Sequence, residues 1–332
     1  MNHGKCGDPV VKVILDTDMG NDIDDALTLA MLHGMQSRGE CELVGVSVCK
    51  DNVYAPKYVD AVNTFYGRSD VPIGMVKGGV TPNNRTFIKE ICTAKDQGAA
   101  RYPLTQSAYE DAVPMLRRTL VEAEDKNIVI VMIGFSTNMK QLFESVGDAT
   151  SELDGRALFA KKVKKVYAMA GDFSASVQAK PTMGSREYNI HCDVEGAVAF
   201  FNRCPVPIDF SGYEIGSALC YPAASIEQDY RWVKHHPVAE AYCHYKPMPY
   251  DRPSWDQTTL MEAVRPGVYF DYSQAGRVEV TDEGYAIFHA DVDGKHRYLK
   301  LRKDRMAAFT EDMVSLCSME NSQAVRAVTA RS

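Results

Sequence analysis

The stretch at residues 10–31, VVKVILDTDMGNDIDDALTLAM, sets what this chain can fold into. Val10, Val11, Val13, Ile14 and Leu15 form a short β-branched apolar run, the pattern of a strand buried on both faces of a parallel sheet. The run ends abruptly in Asp16, Asp18, Asp22, Asp24 and Asp25, and Ala26, Leu27, Leu29, Ala30 and Leu32 then begin an apolar pattern at helical spacing. Five carboxylates therefore crowd one strand-to-helix turn. In open α/β sheets that turn, at the carboxyl end of a strand, is where ligands bind.

Carboxylates held this close repel one another, and a hard divalent cation bound through oxygen relieves them. The plainer reading is a solvated acidic turn with Asp22 or Asp24 as helix N-cap, but a cap needs one acid. An EF-hand loop fits poorly, because Asn21 and Leu27 stand where its sixth-position Gly and twelfth-position Glu belong, and a strand precedes it. A strand leading into D-x-D also suggests a haloacid-dehalogenase-like phosphatase with Asp16 as nucleophile and Asp18 as acid/base. That alternative wants a second acid pair later in the chain, whereas Gly171-Asp172 is followed by Phe173, Ser174, Ala175 and Ser176.

Downstream, strand and helix patterns alternate. Residues 43–49 read as a strand, 54–66 as a helix, 72–76 as a short strand, 108–124 as an amphipathic helix and 128–133 as a buried strand. A helix starts near Thr137, and strands follow at 164–170 and 205–210. The segment 78–105, rich in Gly, Asn, Thr and Pro, reads as an extended loop and candidate lid. This order predicts an α/β fold with a mostly parallel, doubly wound sheet over residues 10–275. From Gly276 the texture changes to alternation around turns at Asp282-Glu283-Gly284 and Asp293-Gly294. Residues 276–332 then read as a small antiparallel β meander and a closing helix from Lys303 to Arg326, packed on the same domain.

The 332 residues, 45% apolar and 24% charged, are enough for a large core. A net charge of -7 argues against a nucleic-acid surface, and no apolar run is long enough for a membrane span. Residues 1–9 lack the apolar core of a signal peptide, so a cytoplasmic location is expected unless such a segment was trimmed. The nine cysteines, an odd number without C-x-x-C spacing, read as mostly buried thiols and not as a disulfide framework or zinc site.

The amino-terminal motif resembles the D-x-D-P-G-x-D-D-A signature of the calcium-dependent nucleoside hydrolases of the inosine-uridine-preferring type. Asp16, Asp18, Gly20, Asp24, Asp25 and Ala26 match, with Met19 in place of Pro and two extra residues before the Asp pair. Further matches are Ile133-Gly134-Phe135-Ser136-Thr137-Asn138 for the family's T-G-P-L-T-N, Met169-Ala170-Gly171 for M-G-G, Glu187-Tyr188-Asn189 for E-F-N, and Asn52 for an Asn at the second strand's end. At Ser254-Trp255-Asp256-Gln257 the family has a His-Asp pair, so Trp255 replaces the His. The matches span about residues 10–265 and omit the meander.

The resemblance implies a hydrolase that cleaves the N-glycosidic bond of a riboside, working as a homodimer or homotetramer. It implies calcium held by Asp18, Asp25, the Ile133 carbonyl and Asp256, with Asp18 as base. It implies that Asp16, Asp24, Asn52, Met169, Glu187, Asn189 and Trp255 bind substrate. An indole cannot protonate a leaving group but can stack on a flat one. A riboside-binding protein that has lost turnover with the His is a further alternative. Tyr242 and Tyr245 are candidates for the leaving-group wall, while His191, His235, His236 and His244 read as surface or satisfied side chains.

Overall fold

The structure is a computed structural model and describes residues 10–80 and 87–321. Its centre is the strand that the opening motif predicts. β1 (Val11–Thr17) is hydrogen-bonded in parallel to β2 (Cys41–Val48) on one side and, on the other, to the strand Ile128–Met132. Beyond β2 lie β3 (Ile73–Met75) and β4 (Glu110–Asp111). The other side runs through β5 (Ile128–Met132), β6 (Val163–Met169) and β7 (Ile208–Ser211). All these pairings are parallel, so every carboxyl end lies along one edge.

The chain reverses its direction of winding between β1 and β5. The crevice at such a reversal is where doubly wound sheets bind ligands. Alternation along β1 feeds two cores: Val13 and Leu15 pack with helix α1 (Asp24–Ser37), while Ile14 packs on the opposite face with Met115, Leu116 and Leu142. Each of these fully buried side chains contributes roughly 1.5–3 kcal/mol by leaving water.

Strand and helix ends agree with the sequence reading to within about four residues where the apolar pattern is strong. Two segments differ. The expected loop at 78–105 holds a helix, α2 (Phe87–Thr93), and a small hairpin at 95–100, while its residues 81–86 lie outside the described residues. Phe87, Ile88 and Ile91 are buried at helical spacing, and this apolar face overrides the loop-like composition before it. The closing helix covers Met306–Cys317, and the expected remainder beyond 321 lies outside the described residues.

The carboxyl-terminal strands Gly276–Val280 and Ala286–Ala290 form the first expected hairpin, but His296–Leu301 does not continue the meander beside Ala286–Ala290: it meets the first of these strands antiparallel at Gly276 and joins β7 in parallel. The antiparallel piece thus extends the main sheet. The described cysteines are all unpaired; Cys41, Cys49 and Cys317 are buried and Cys243 is exposed. No helix among the described residues is long and apolar enough to cross a membrane.

Candidate functional site

A cavity of about 300 Å³ opens at the carboxyl edge where β1 and β5 part. Asp18, Asp24, Asp25, Ile133, Met169, Glu187, Asn189, Trp255 and Asp256 all line it. The first acids are placed by local geometry. After Thr17 the chain turns through Gly20, whose φ of +101° suits glycine, and enters α1 at Asp24. Asp24 and Asp25 thus sit in the first turn of that helix, where the helix dipole favours negative charge. Thr17 Oγ1 donates to Asp25 and also accepts from the Met19 amide at 3.1 Å, so the strand end grips the turn.

Asp256 arrives from 232 residues beyond Asp24, in the first turn of the helix Trp255–Val264, and its amide donates to Asp24 Oδ2 at 3.3 Å. Carboxylate oxygens of Asp24, Asp25 and Asp256 lie within 4.8 Å of one another, all buried. An all-oxygen, all-carboxylate donor set of this kind suits a hard divalent cation. The sequence expectation placed Asp18 in this set, whereas the tightest grouping contains Asp24 in its stead. Asp18 faces the same cavity.

Burial pushes the Asp18 carboxyl up to about 6 and Asp24 up to about 7, and it holds Asp25 and Asp256 well above the usual carboxylate range. Mutual repulsion adds to this at Asp24, Asp25 and Asp256. Two groups that sequence reasoning missed oppose it at Asp18. Asn21 Nδ2 donates to Asp18 Oδ2, and the fully buried Lys50 ammonium donates to Asn21 Oδ1. Two residues of the lengthened turn between Gly20 and the Asp pair thereby acquire partners. Asn21 links Lys50 to Asp18, and Asp22 leaves the acid cluster to accept from Arg252 Nε at 2.8 Å and from its Nη2. Asp24 and not Asp22 is the first acid of the clustered pair.

Across the cavity, Glu187 caps the helix Tyr188–Cys192, accepting from Asn189 N at 2.8 Å and Ile190 N at 3.1 Å. Burial still lifts its carboxyl to about 7. Asn189 Nδ2 donates to the carbonyls of Met169 at 3.1 Å and Ile133 at 3.4 Å, tying together the ends of β6 and β5. Gly134 is required by close approach. A Cβ there would lie 2.4 Å from Asp18 N and 2.6 Å from Cys49 Sγ.

Two expected substrate contacts do not reach the cavity. Asp16 is sealed beneath it, accepting from Ser47 Oγ and from Asn138 Nδ2 at 2.9 Å, since a strand residue two before the acid turn still points into the sheet's packing. A phosphatase with Asp16 as nucleophile is thereby disfavoured. Asn52 folds back to accept from Tyr54 N at 2.9 Å, because the chain turns at Lys50 and Asp51 before reaching it. The outer wall is aromatic and basic. Tyr213 and Trp255 stack with centroids 5.6 Å apart, and Tyr188, Tyr245, Lys246 and Arg252 complete the lining. Tyr242 lies behind the wall, stacked on Tyr250.

This arrangement has known counterparts. Residues 13–314 match the family described as inosine-uridine preferring nucleoside hydrolase. The chain belongs to that family. Its members hydrolyse the N-glycosidic bond of ribonucleosides, and the match includes the meander that the motif comparison left out. Among solved structures, a plant nucleoside hydrolase, PpNRh1, superposes with a TM-score of 0.68 at 18% identity, covering 94% of this chain and 100% of that one. The inosine-uridine preferring nucleoside hydrolase from Bacillus anthracis gives 0.69 at 18% identity, over 93% and 99%. The type III effector protein XopQ, complexed with adenosine diphosphate ribose, gives 0.65 at 17% identity, over 94% and 95%. At these identities the likeness is one of fold. A search of curated proteins by sequence found no match.

Proposed function

We propose that this chain hydrolyses the N-glycosidic bond of a riboside at the acid-lined cavity, with Asp18 as general base and a calcium ion held by Asp25, Asp256, the Ile133 carbonyl and Asp18 or Asp24. The observation that carries the reading is the convergence of Asp18, Asp24, Asp25 and Asp256, drawn from both ends of the chain, on one buried point at the winding reversal of the sheet. A calcium ion bound there would supply a Lewis acid that acidifies a water and neutralises the carboxylates. The residues do the rest. Asp18, with one oxygen fixed by Asn21, takes the proton of the attacking water. Glu187, Asn189 and Asp24 orient the sugar hydroxyls so that the water meets the anomeric carbon.

The new C–O bond forms as the C–N bond breaks, and the electron pair leaves with the aglycone. Trp255 offers that aglycone no hydrogen-bond donor and only apolar ring surface, because the indole N–H already donates to the Tyr213 carbonyl at 3.0 Å and to Ser217 Oγ at 3.2 Å.

The test is sugar release from purine, pyrimidine and nicotinamide ribosides, with wild type and Asp18→Asn, with and without a chelator. Removing a base of this kind costs about 10²–10⁴-fold. Activity indifferent to both the chelator and the substitution would end the proposal. Ribosides that raise the melting temperature without any sugar release would make the chain a binding protein.

A further inference from the structure

The cavity has two unlike halves. The inner half is acidic, and the carboxylates there are accounted for by the metal and the sugar in the hydrolase reading, on which this inference rests. The outer half is formed by Tyr213, Trp255 and Tyr245, with Arg252 and Lys246 among them. Its acid, Asp22, is neutralised by Arg252. That pairing uses Nε and Nη2 of the guanidinium, and Nη1 makes no hydrogen bond among the described residues. The guanidinium carbon lies 5.0 Å from the Trp255 ring centroid and 5.3 Å from that of Tyr245, so the fork is within cation–π reach of two aromatic rings with one edge unspent. Lys246 has no carboxylate within ion-pair distance among the described residues. Its ammonium lies 5.4 Å from the Tyr245 centroid and 6.0 Å from that of Tyr250.

Arg252, Lys246 and Asp22 together leave the outer half with one net positive charge, one unspent planar donor edge and flat apolar walls. A neutral base needs the walls but not the charge. We propose that this outer half is the leaving-group subsite and that it selects a flat ring carrying a negatively charged substituent such as a carboxylate, read by Arg252 Nη1 and Lys246 Nζ. A planar guanidinium edge with a mobile ammonium beside it matches a carboxylate in shape and charge, whereas a carboxamide would have to bring a lone pair to two cations without charge to offset them.

The experiment compares nicotinic acid riboside with nicotinamide riboside, which share the ring and the glycosidic bond and differ in one charge. A charge-assisted hydrogen bond corresponds to a preference of roughly 10- to 100-fold in kcat/KM for the acid, carried mainly by KM. Lys246→Gln, at an exposed position, should bring the ratio of the two substrates most of the way to one, Lys246→Glu should invert it, and Arg252→Gln should also collapse it. A wild-type ratio within threefold of one, or a ratio unchanged by all three substitutions, overturns the proposal. A second arm measures equilibrium binding of the free ring compounds, nicotinate and nicotinamide, to the wild-type protein. If neither riboside is hydrolysed, the hydrolase reading is judged on the purine and pyrimidine ribosides and the subsite on this arm alone: tighter binding of nicotinate, lost in Lys246→Gln, supports it, and equal binding refutes it.

Discussion

Metal binding at the acid cluster should be strongly proton-linked, and the structure gives the size of the effect. In the metal-free protein burial holds Asp18 at about 6 and Asp24 at about 7, while a cation binds only their ionised forms. Each group lowers the apparent affinity by a factor of one plus ten to the power of its pKa minus the pH. Taking the pH from 8 to 5 then costs roughly 90-fold, about 2.7 kcal/mol, where Asp24 holds the ion, or roughly 10-fold, about 1.4 kcal/mol, where Asp18 does. Asp25 and Asp256, also raised, add to this. The sign follows from the direction of the shifts. Folded-state values above the ordinary 3.8 mean that the acids stabilise the metal-free fold at low pH and lose that contribution as pH rises through about 6 to 7, which is where the cation's own stabilisation grows. Calorimetric titration with calcium at pH 6, in two buffers of different ionisation enthalpy, counts the protons displaced, and repeating it from pH 5 to 8 gives the slope. Release of at least one proton at pH 6 is expected. No proton release and a flat affinity over this range would show that Lys50 and the hydrogen bonds already keep the carboxylates ionised, and would refute the desolvation argument.

Three further outcomes are expected. Gly134→Ala should place a methyl group against Asp18 N and Cys49 Sγ and displace the base, lowering sugar release about 10²-fold while circular dichroism shows the fold intact; wild-type turnover would show that the contact is soft. Arg117, 1% exposed, donates to Asp148 at 2.8 and 3.0 Å and to the carbonyls of Ser151 and Leu153 at 2.9 and 3.0 Å, so Arg117→Ala should cost about 3 kcal/mol in urea melts; a loss under about 1 kcal/mol would refute this. His33 is held neutral down to about 3 by burial, so between pH 6.5 and 3 the unfolded chain binds a proton that the folded chain refuses, and stability falls by about 1.4 kcal/mol per pH unit on its account; urea melts of His33→Gln across pH 6.5 to 4.5 should lack that increment, and parallel slopes for variant and wild type would disprove it.

What the sequence disclosed was what neighbouring residues encode. The β-branched run, the acids that follow and the helical spacing after them are local signals, and they locate β1, the turn and α1 correctly. The strand-end motifs at Ile133, Met169 and Glu187 to Asn189 were legible for the same reason. The missed parts depend on partners distant in the chain. Lys50 reads as an ordinary lysine until β2 is laid beside β1 and buries it against Asn21. Asp22 looks like a fifth cluster acid until Arg252 claims it. Asn52 was placed by counting along a strand, which does not show where the backbone turns. The α2 helix hid behind a loop-like composition, and alternation in the last three strands could not name β7 as the neighbour of His296–Leu301.

The cluster's span along the chain has a consequence for how the protein comes into being. Asp24 and Asp256 are separated by 232 positions, and Asp22 and Arg252 by 230. On a ribosome adding about 5–20 residues per second, the early acids wait some tens of seconds for the groups that complete and offset them. Through that interval β1 and α1 can fold, but the turn between them remains an electrostatic fault line, best endured protonated, solvated or guarded by a chaperone. A cation held by this cluster would therefore also act as a late assembly signal, because it could grip fully only a chain whose final third has already docked.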